Sequence, residues 1–385
     1  MDRSQRVFLV RNVAPELYGG GETYQLMLAD ELKKYGFEPY IVTASRGLLN
    51  EARKRKIDII EAPYIDRQNW SGWRNILFPV YFIEIMKLRK WYRQVFDKYK
   101  PEVINIQSRD DWIAATVVAK KMGIKVLWTD HMDFRSWVLT NVNMWYKNWI
   151  GKWILKCAKR ADKIIMISDF ERRSFEKMVK PRKYKNLVTI KNGVEDEFSK
   201  YKGVECKKNS ICYVGRIVKY KGTKELVEAF DVVSEKYPNV ELSIYGDGED
   251  FEKYKKMASG SKKIHFRGKT SEPLKVMAEN EIFVLPSYRE GLSLSLLDAA
   301  MMEKKIIASD VDGNPEVVID KKTGLLVPAK NVEKLAEAMI YMLKNKKEAA
   351  EMAKNARKYY EENFDFEKRF KEKMLPLYNI EKEKK

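Results

Sequence analysis

The chain has 385 residues, 45% of them hydrophobic, and a formal net charge of +19, which suits two domains with a core in each. Its three cysteines, Cys157, Cys206 and Cys212, have no zinc or redox spacing, so a disulfide scaffold and a zinc module are excluded and a reducing, cytoplasmic setting is expected. The longest apolar run, near 76–83, stops at Glu84 and is too short to span a bilayer; residues 1–6 lead into VFLV without a signal-peptide pattern, so a soluble or peripheral protein is expected.

The charge is uneven. Residues 1–193 hold about 37 Lys and Arg against about 21 Asp and Glu, roughly +16, and the remainder is nearly neutral at roughly +3. All nine tryptophans, Trp70 to Trp153, also fall in the first half. The two halves are therefore expected to meet different partners.

Residues 7–10 read as a buried strand. Gly19, Gly20 and Gly21 make a glycine-rich turn before a helix expected from Glu22 to about Tyr35, ended by Gly36 as a C′ glycine. Three glycines between a strand and a helix let backbone N–H groups approach a phosphate; a plain flexible turn would use the same residues. The pattern is not G-x-G-x-x-G, which disfavours a dinucleotide site. Strands are expected over 39–43, 103–106 and 124–128, and a helix over 111–122. The last of these strands leads into Thr129-Asp130-His131. His131 is one of two histidines and stands at a strand's carboxyl end, where open parallel sheets bind ligands.

Residues 70–100 are basic and aromatic. Over 138–160, Trp145, Trp149 and Trp153 recur every four residues among Lys147, Lys152 and Lys156, which puts the indoles on one helix face. Such a stripe is either core packing or an interfacial helix. A strand over 163–167, a helix capped by Ser168-Asp169 and a strand over 187–190 follow. The charged stretch 195–210 reads as a linker.

The second half begins with a strand over 211–214 and a helix over 223–237. Between them stand Arg216 and Lys221, flanked by Gly215 and Gly222. Two cations at a helix start suit a diphosphate, Arg by a forked contact and Lys as a point charge. Strands over 240–245 and 263–267 end at Gly246 and Gly268; His265 lies inside the latter and reads as structural.

Residues 286–300, PSYREGLSLSLLDAA, then follow a strand over 282–285. A loop with Arg289, Glu290 and Gly291 leads to a helix starting at Leu292-Ser293, whose free N–H groups suit an anion. Glu290 and Asp298 are eight residues apart, roughly 12 Å along a helix, which would put a carboxylate at each end of an extended diphosphate ligand. Asp310-x-Asp312 has the spacing of a metal-binding pair. A strand over 306–308, the segment 323–328, two helices to about 363 and a last helix over 364–379 complete the chain. Strands and helices alternate in both halves, which makes the fold class α/β with doubly wound sheets.

Residues 286–300 resemble the Glu-x7-Glu signature of retaining glycosyltransferases of the GT-B fold, family GT4. Glu290 matches the first carboxylate, and Asp298 stands where the family has its second Glu. Arg216 and Lys221 with their glycines resemble the family's Gly-Arg-x5-Gly-type phosphate clamp. Asn192-Gly193-Val194 resembles its Asn-Gly-Val-Asp element, with Glu195 for the Asp. The resemblance covers nearly the whole chain, specific over 213–328 and loose over 46–100. It implies two Rossmann-like domains facing a central cleft: 1–195 on the acceptor side, with 365–385 packing back on it, and 196–364 binding the nucleotide sugar. It implies catalytic roles for Glu290, His131, Arg216 and Lys221. It implies nucleotide-sugar binding by Gly20, Gly21, Gly215, Arg216, Lys221, Gly246, Gly268, Glu290, Gly291, Leu292, Ser293 and Asp298. It further implies that no metal or other cofactor is needed, which sets the Asp310–Asp312 pair aside.

The expected activity is retaining transfer from a nucleotide-diphosphate sugar to a hydroxyl of a lipid-linked or membrane-associated glycan. The basic, Trp-rich half would dock on an anionic membrane, placing the protein peripherally on the cytoplasmic face. A catalytically degenerate nucleotide-sugar or membrane-surface binding module would share these motifs, and donor turnover separates the two. Nucleic acid is not an expected partner, because no nucleic-acid motif is present and the second half is nearly neutral.

Overall fold

The computed structural model describes residues 4–65, 78–131, 145–179 and 184–379. Expectations for 66–77 and 132–144, including Trp70 and the start of the helix expected from Val138, lie outside them, as do the side chain of Trp145 and the tail 380–385. The chain forms two compact units, Met1–Ile190 with Phe370–Lys385, and Lys191–Arg369.

Seven parallel strands make the sheet of the first unit: β1 (Arg6–Val10), β2 (Glu38–Thr43), β3 (Asp58–Glu61), β4 (Val103–Ile106), β5 (Lys125–Asp130), β6 (Lys163–Met166) and β7 (Leu187–Thr189). Their order is β3-β2-β1-β4-β5-β6-β7. The helices between them are α1 (Gly20–Lys34), α2 (Arg46–Lys54), α3 (Phe78–Tyr99), α4 (Arg109–Lys121), α5 (Trp145–Ala158) and α6 (Asp169–Val179). Apolar runs such as VFLV form strands here because helices cover both faces of a parallel sheet. On one face Phe8, Val10, Ile104, Ile106, Val126 and Trp128 pack against α3, α4 and α5. Trp128 stacks on Trp112 with centroids 5.0 Å apart. Two of the tryptophans are therefore core, not surface.

The second sheet has six parallel strands: β8 (Lys207–Val214), β9 (Glu241–Tyr245), β10 (Ile264–Gly268), β11 (Asn280–Leu285), β12 (Lys305–Ser309) and β13 (Leu325–Val327), in the order β10-β9-β8-β11-β12-β13. Its helices are α7 (Thr223–Lys236), α8 (Phe251–Met257), α9 (Pro273–Glu279), α10 (Leu294–Met301), α11 (Val332–Lys344) and α12 (Lys346–Asn363). In each sheet the chain runs outward to one edge, returns to the middle and runs to the other. That leaves a switch point between β1 and β4 and another between β8 and β11, where the loops diverge and a ligand can enter at the carboxyl ends.

Three sequence expectations need correction. Helix α1 starts at Gly20, so Gly20 and Gly21 are its first residues and only Gly19 precedes it as the cap. The end of the charged stretch taken as linker is strand, since β8 begins at Lys207, with Lys207 beside Asn280 of β11. Helix α10 starts at Leu294 with Ser293 as its cap, so Asp298 is its fifth residue, just over one turn in, not two. The last helix expected over 364–379 is present over 366–378, with a π-helical segment, Phe370–Met374, between the α-helical turns Phe366–Arg369 and Leu375–Tyr378. Pro376, which has no N–H to donate, lies in that last turn.

Residues 191–195, read from the sequence as part of the first domain, pack with the second unit. Val194 bridges Asp365, Tyr360 donates its hydroxyl to the Val194 carbonyl at 2.8 Å, and Arg369 Nε donates to the Lys191 carbonyl at 3.0 Å. The terminal segment holds to the first unit through Tyr378: Asn105 Nδ2 donates to its hydroxyl at 2.5 Å and Gln5 Nε2 to its carbonyl at 2.9 Å.

Candidate active site

At the switch point of the second unit, the loop after β8 meets the loop after β11. Gly222 makes this approach possible: its φ is +72°, and a β-carbon there would stand 2.0 Å from the Pro286 carbonyl oxygen. The Tyr288 N–H donates to the Tyr220 carbonyl at 2.7 Å and ties the same two loops. This brings Lys221 Nζ to 2.6 Å from Glu290 Oε1, with side chains only 14% and 9% exposed. A pair this enclosed holds both charges in place, because removing either leaves the other buried and uncompensated.

Glu290 is held from its backbone as well. Its N–H donates to Asp312 Oδ2 at 3.1 Å, and its carbonyl accepts the Gly313 N–H. Asp312, whose spacing from Asp310 looked like a metal pair, is thus a positioning residue for Glu290. Among the described residues, no group of three or more His, Cys, Asp or Glu is placed to hold a metal ion.

Arg216 behaves differently. Its side chain is exposed and its guanidinium meets the Tyr220 hydroxyl. The Tyr220 ring is near both cations, 5.8 Å from Arg216 Cζ and 5.8 Å from Lys221 Nζ. The structure therefore gathers Lys221, Glu290 and Tyr220, and sets Arg216 at their margin. Tyr220 was missed in the sequence; the signal was an aromatic inside a loop flanked by two cations.

Leu292 is buried and Ser293 caps α10 without a side-chain bond to the backbone; its hydroxyl pairs instead with that of Ser295 at 3.0 Å. The glycines of the neighbouring loops have structural reasons. Gly246 donates to the Gly268 carbonyl at 2.8 Å, and a β-carbon on it would stand 1.8 Å from the Gly215 carbonyl oxygen. Gly246, at φ +148°, is the glycine that lets the carboxyl ends of β8, β9 and β10 approach this tightly. Part of Asp298 still reaches solvent, but protein surrounds its carboxyl; burial, with a smaller push from the Glu197 charge, raises it to about 7.

In the first unit, Arg11, Gln107 and His131 follow the ends of β1, β4 and β5. Arg11 Nε pairs with Glu22 of α1 at 2.8 Å, and its guanidinium occupies the space a β-carbon on Gly21 would take. Gly21 thus lets α1 close over Arg11. His131 packs edge-on to Tyr24, with centroids 4.9 Å apart. Burial, then the Arg11 charge, holds its imidazole well below the usual histidine range, so it is neutral. Its Nε2 is buried and meets no protein partner among the described residues. Gln107 and Gln25 of α1 are 3% and 0% exposed, and neither side-chain amide is bonded. Unbonded buried amides are costly. The sequence reading missed Arg11 and Gln107, although each directly follows an apolar strand.

Two family models match this chain. The one described as glycosyl transferases group 1 covers residues 194–359, and glycosyltransferase family 4 covers residues 18–198. An uncharacterized glycosyltransferase of Methanocaldococcus jannaschii is 29% identical over 74% of this chain and 77% of its own. The N,N'-diacetylbacillosaminyl-diphospho-undecaprenol alpha-1,3-N-acetylgalactosaminyltransferase of Campylobacter jejuni is 30% identical over 41% of this chain, which spans 42% of that relative. HepE of Anabaena, solved in complex with UDP-glucose, shares the fold at a TM-score of 0.76 and 15% identity, covering 97% of this chain and 100% of its own. The two models follow one another along nearly the whole chain, and the chain belongs to the group 1, family 4 glycosyltransferases.

Proposed function

We propose that the protein transfers a sugar, with retention at the anomeric carbon, from a nucleotide-diphosphate sugar to a hydroxyl of a lipid-linked or membrane-associated glycan. The single observation that carries this is the enclosed Lys221–Glu290 pair at the β8–β11 switch point. A diphosphate entering there meets the Lys221 ammonium and the start of α10, both favourable to negative charge. Glu290 faces the sugar end, and its backbone tie to Asp312 keeps it in position. Arg216 swings from Tyr220 to the outer phosphate.

In the reaction, the anomeric C–O bond breaks and its electron pair leaves with the diphosphate, where Lys221 and Arg216 meet the growing charge. The acceptor oxygen bonds the anomeric carbon on the same face, and its proton passes to a leaving phosphate oxygen. Glu290 stabilises the oxocarbenium-like centre. Asp298 takes the ribose, and the neutral His131 contributes a sugar contact. Gly215, Gly246, Gly268, Gly291, Leu292 and Ser293 shape the walls in the second unit, and Gly20 and Gly21 the start of α1 in the first. No metal takes part in this scheme.

The lipid-linked acceptor is supported by the diphospho-undecaprenol in the name of the Campylobacter relative, and the UDP-type donor by the Anabaena complex. No helix among the described residues is long and apolar enough to cross a membrane. With the +16 first half, that favours peripheral attachment on the cytoplasmic face. A panel of nucleotide sugars, scored by calorimetric binding and slow donor hydrolysis, tests the reading: at least one should bind and turn over, and none doing so would end it.

A further inference from the structure

Helix α3 is apolar on two sides at its start. Its inner stripe, Tyr81, Ile85, Leu88, Tyr92 and Phe96, is at most 2% exposed and joins the core. Its outer side carries Val80, Phe82, Ile83 and Met86, which are 36%, 47%, 51% and 44% exposed. The helix needs only one apolar stripe to pack, so the outer one serves something else. Helix α5 lies alongside: Phe82 stacks on Trp153 with centroids 5.7 Å apart, and Arg89 Cζ lies 5.2 Å from the same indole. It adds Trp149, 58% exposed, with Lys152 Nζ 5.7 Å from its ring. Of ten large hydrophobic residues exposed among the described residues, five share this face.

We propose that this α3–α5 face is the seat of the protein on an anionic lipid bilayer. The charge selects the occupant. Beyond Met86, the exposed side of α3 turns to Lys87, Lys90 and Arg93, of which Lys87 pairs with Glu84 and Arg93 with Asp97, and α5 adds Lys152 and Lys156 and no acidic residue, so that cations outnumber acids on this face. A second copy of the chain would bring the same positive rim against this one. An anionic leaflet complements it, and Trp and Phe flanked by Lys are suited to the headgroup boundary. The choice of surface rests on these residues; its purpose rests on the lipid-linked acceptor of the proposed function.

The inner side of α3 is bonded to the candidate acceptor edge. Tyr81 donates to Asp110 Oδ1 at 2.8 Å and Tyr92 to Asp111 Oδ1 at 2.6 Å. Ser108 donates to Asp111 Oδ2 at 2.6 Å and accepts the Asn12 N–H at 3.0 Å. Asn12 follows Arg11, so the helix that would lie on the membrane holds the loops after β1 and β4 in place. Seating α3 at the headgroups therefore brings those loops to the depth where a lipid-linked glycan begins.

Flotation of the full chain with phosphatidylcholine vesicles, with and without phosphatidylglycerol, tests the proposal. The wild type should float only with the anionic vesicles and be released as salt rises. The Phe82→Ser/Ile83→Ser variant and Trp149→Ala should each lose about tenfold in vesicle affinity while nucleotide binding, set by the other unit, stays unchanged and reports an intact fold. Equal binding to neutral vesicles, undiminished binding by both variants, or no binding by the wild type overturns the proposal. So does light scattering that shows a dimer dissociated by the same substitutions. A protein that floats as expected but turns over no nucleotide sugar would sink the transferase reading and leave this surface standing.

Discussion

The two switch points solve opposite problems. In the second unit, Lys221 and Glu290 already satisfy one another, and Tyr220, Gly222 and Asp312 fix both loops around them. In the first unit, Arg11 is paired with Glu22 and His131 is uncharged, while among the described residues the side-chain amides of Gln25 and Gln107 are buried and unbonded. A site for an anionic diphosphate needs charge held in place in advance. A site for hydroxyl groups needs donors and acceptors left open. On the proposed reading, with the donor at the second unit and the acceptor at the first, the difference teaches that the donor end is complete without its ligand and the acceptor end is not.

Breaking the ion pair should have the largest effect. Lys221→Ala leaves Glu290 enclosed and unpaired and should lower kcat/KM for the donor by about 10²–10³. Glu290→Gln should depress turnover more than nucleotide affinity, measured by calorimetry beside steady-state rates. Arg216→Ala, at the exposed margin, should cost visibly less than Lys221→Ala; equal losses would mean that both cations reach the diphosphate from the outset.

The acceptor side should respond separately. Gln107→Leu is expected to lower kcat/KM for the acceptor by about tenfold and leave slow donor hydrolysis unchanged. A parallel fall in hydrolysis would place Gln107 in the donor site and erase the contrast between the units.

A subtler effect is in the pH dependence. With the Asp298 carboxyl raised to about 7 by burial and by Glu197, the group is largely neutral at pH 6 and ionised at pH 8. If the carboxylate accepts from the ribose, nucleotide affinity rises with pH through about 7, and Asp298→Asn flattens the profile. The sign is reversed for stability. A carboxyl raised in the folded state binds its proton more tightly there than when unfolded, so its contribution falls as pH rises from about 4 through 7. Asp298→Asn should therefore raise Tm at pH 8 more than at pH 6. The smallest expected effect is none at all: donor turnover should be the same with and without a chelator, and a loss restored by a divalent cation would return Asp310 and Asp312 to attention.

How far this was legible follows the same contrast. The strands at 7–10 and 282–285 were readable because a doubly covered parallel sheet demands uninterrupted apolar runs, and the one at 103–106 because Asn105 alone interrupts its apolar run. Lys221 and Glu290 were each visible in a local motif. Their pairing was not, because 69 residues separate them and only the β8–β11 crossover joins them. The start of β8 was hidden because Lys207 and Lys208 are exposed and give no apolar signal. The C-terminal helix was readable as one amphipathic run, since Phe366, Phe370, Met374 and Tyr378 recur every four residues and are all buried, whereas its π segment was not. Gln25 and Gln107 could not be singled out, because an amide carries no periodic or charge signal and its lack of partners appears only in three dimensions. Nor could the sequence sort its tryptophans, of which Trp112 and Trp128 fill the core and Trp149 faces outward.

The central claim is that the β8–β11 switch point binds a nucleotide sugar and breaks its anomeric bond with retention. Slow hydrolysis of the donor identified in the nucleotide-sugar panel, followed by proton NMR before mutarotation, tests it most directly. The account predicts that the first free sugar has the donor's own anomeric configuration, and that Glu290→Gln releases it far more slowly while still binding the nucleotide. Release of the opposite anomer first, or an undiminished rate in Glu290→Gln, would contradict it.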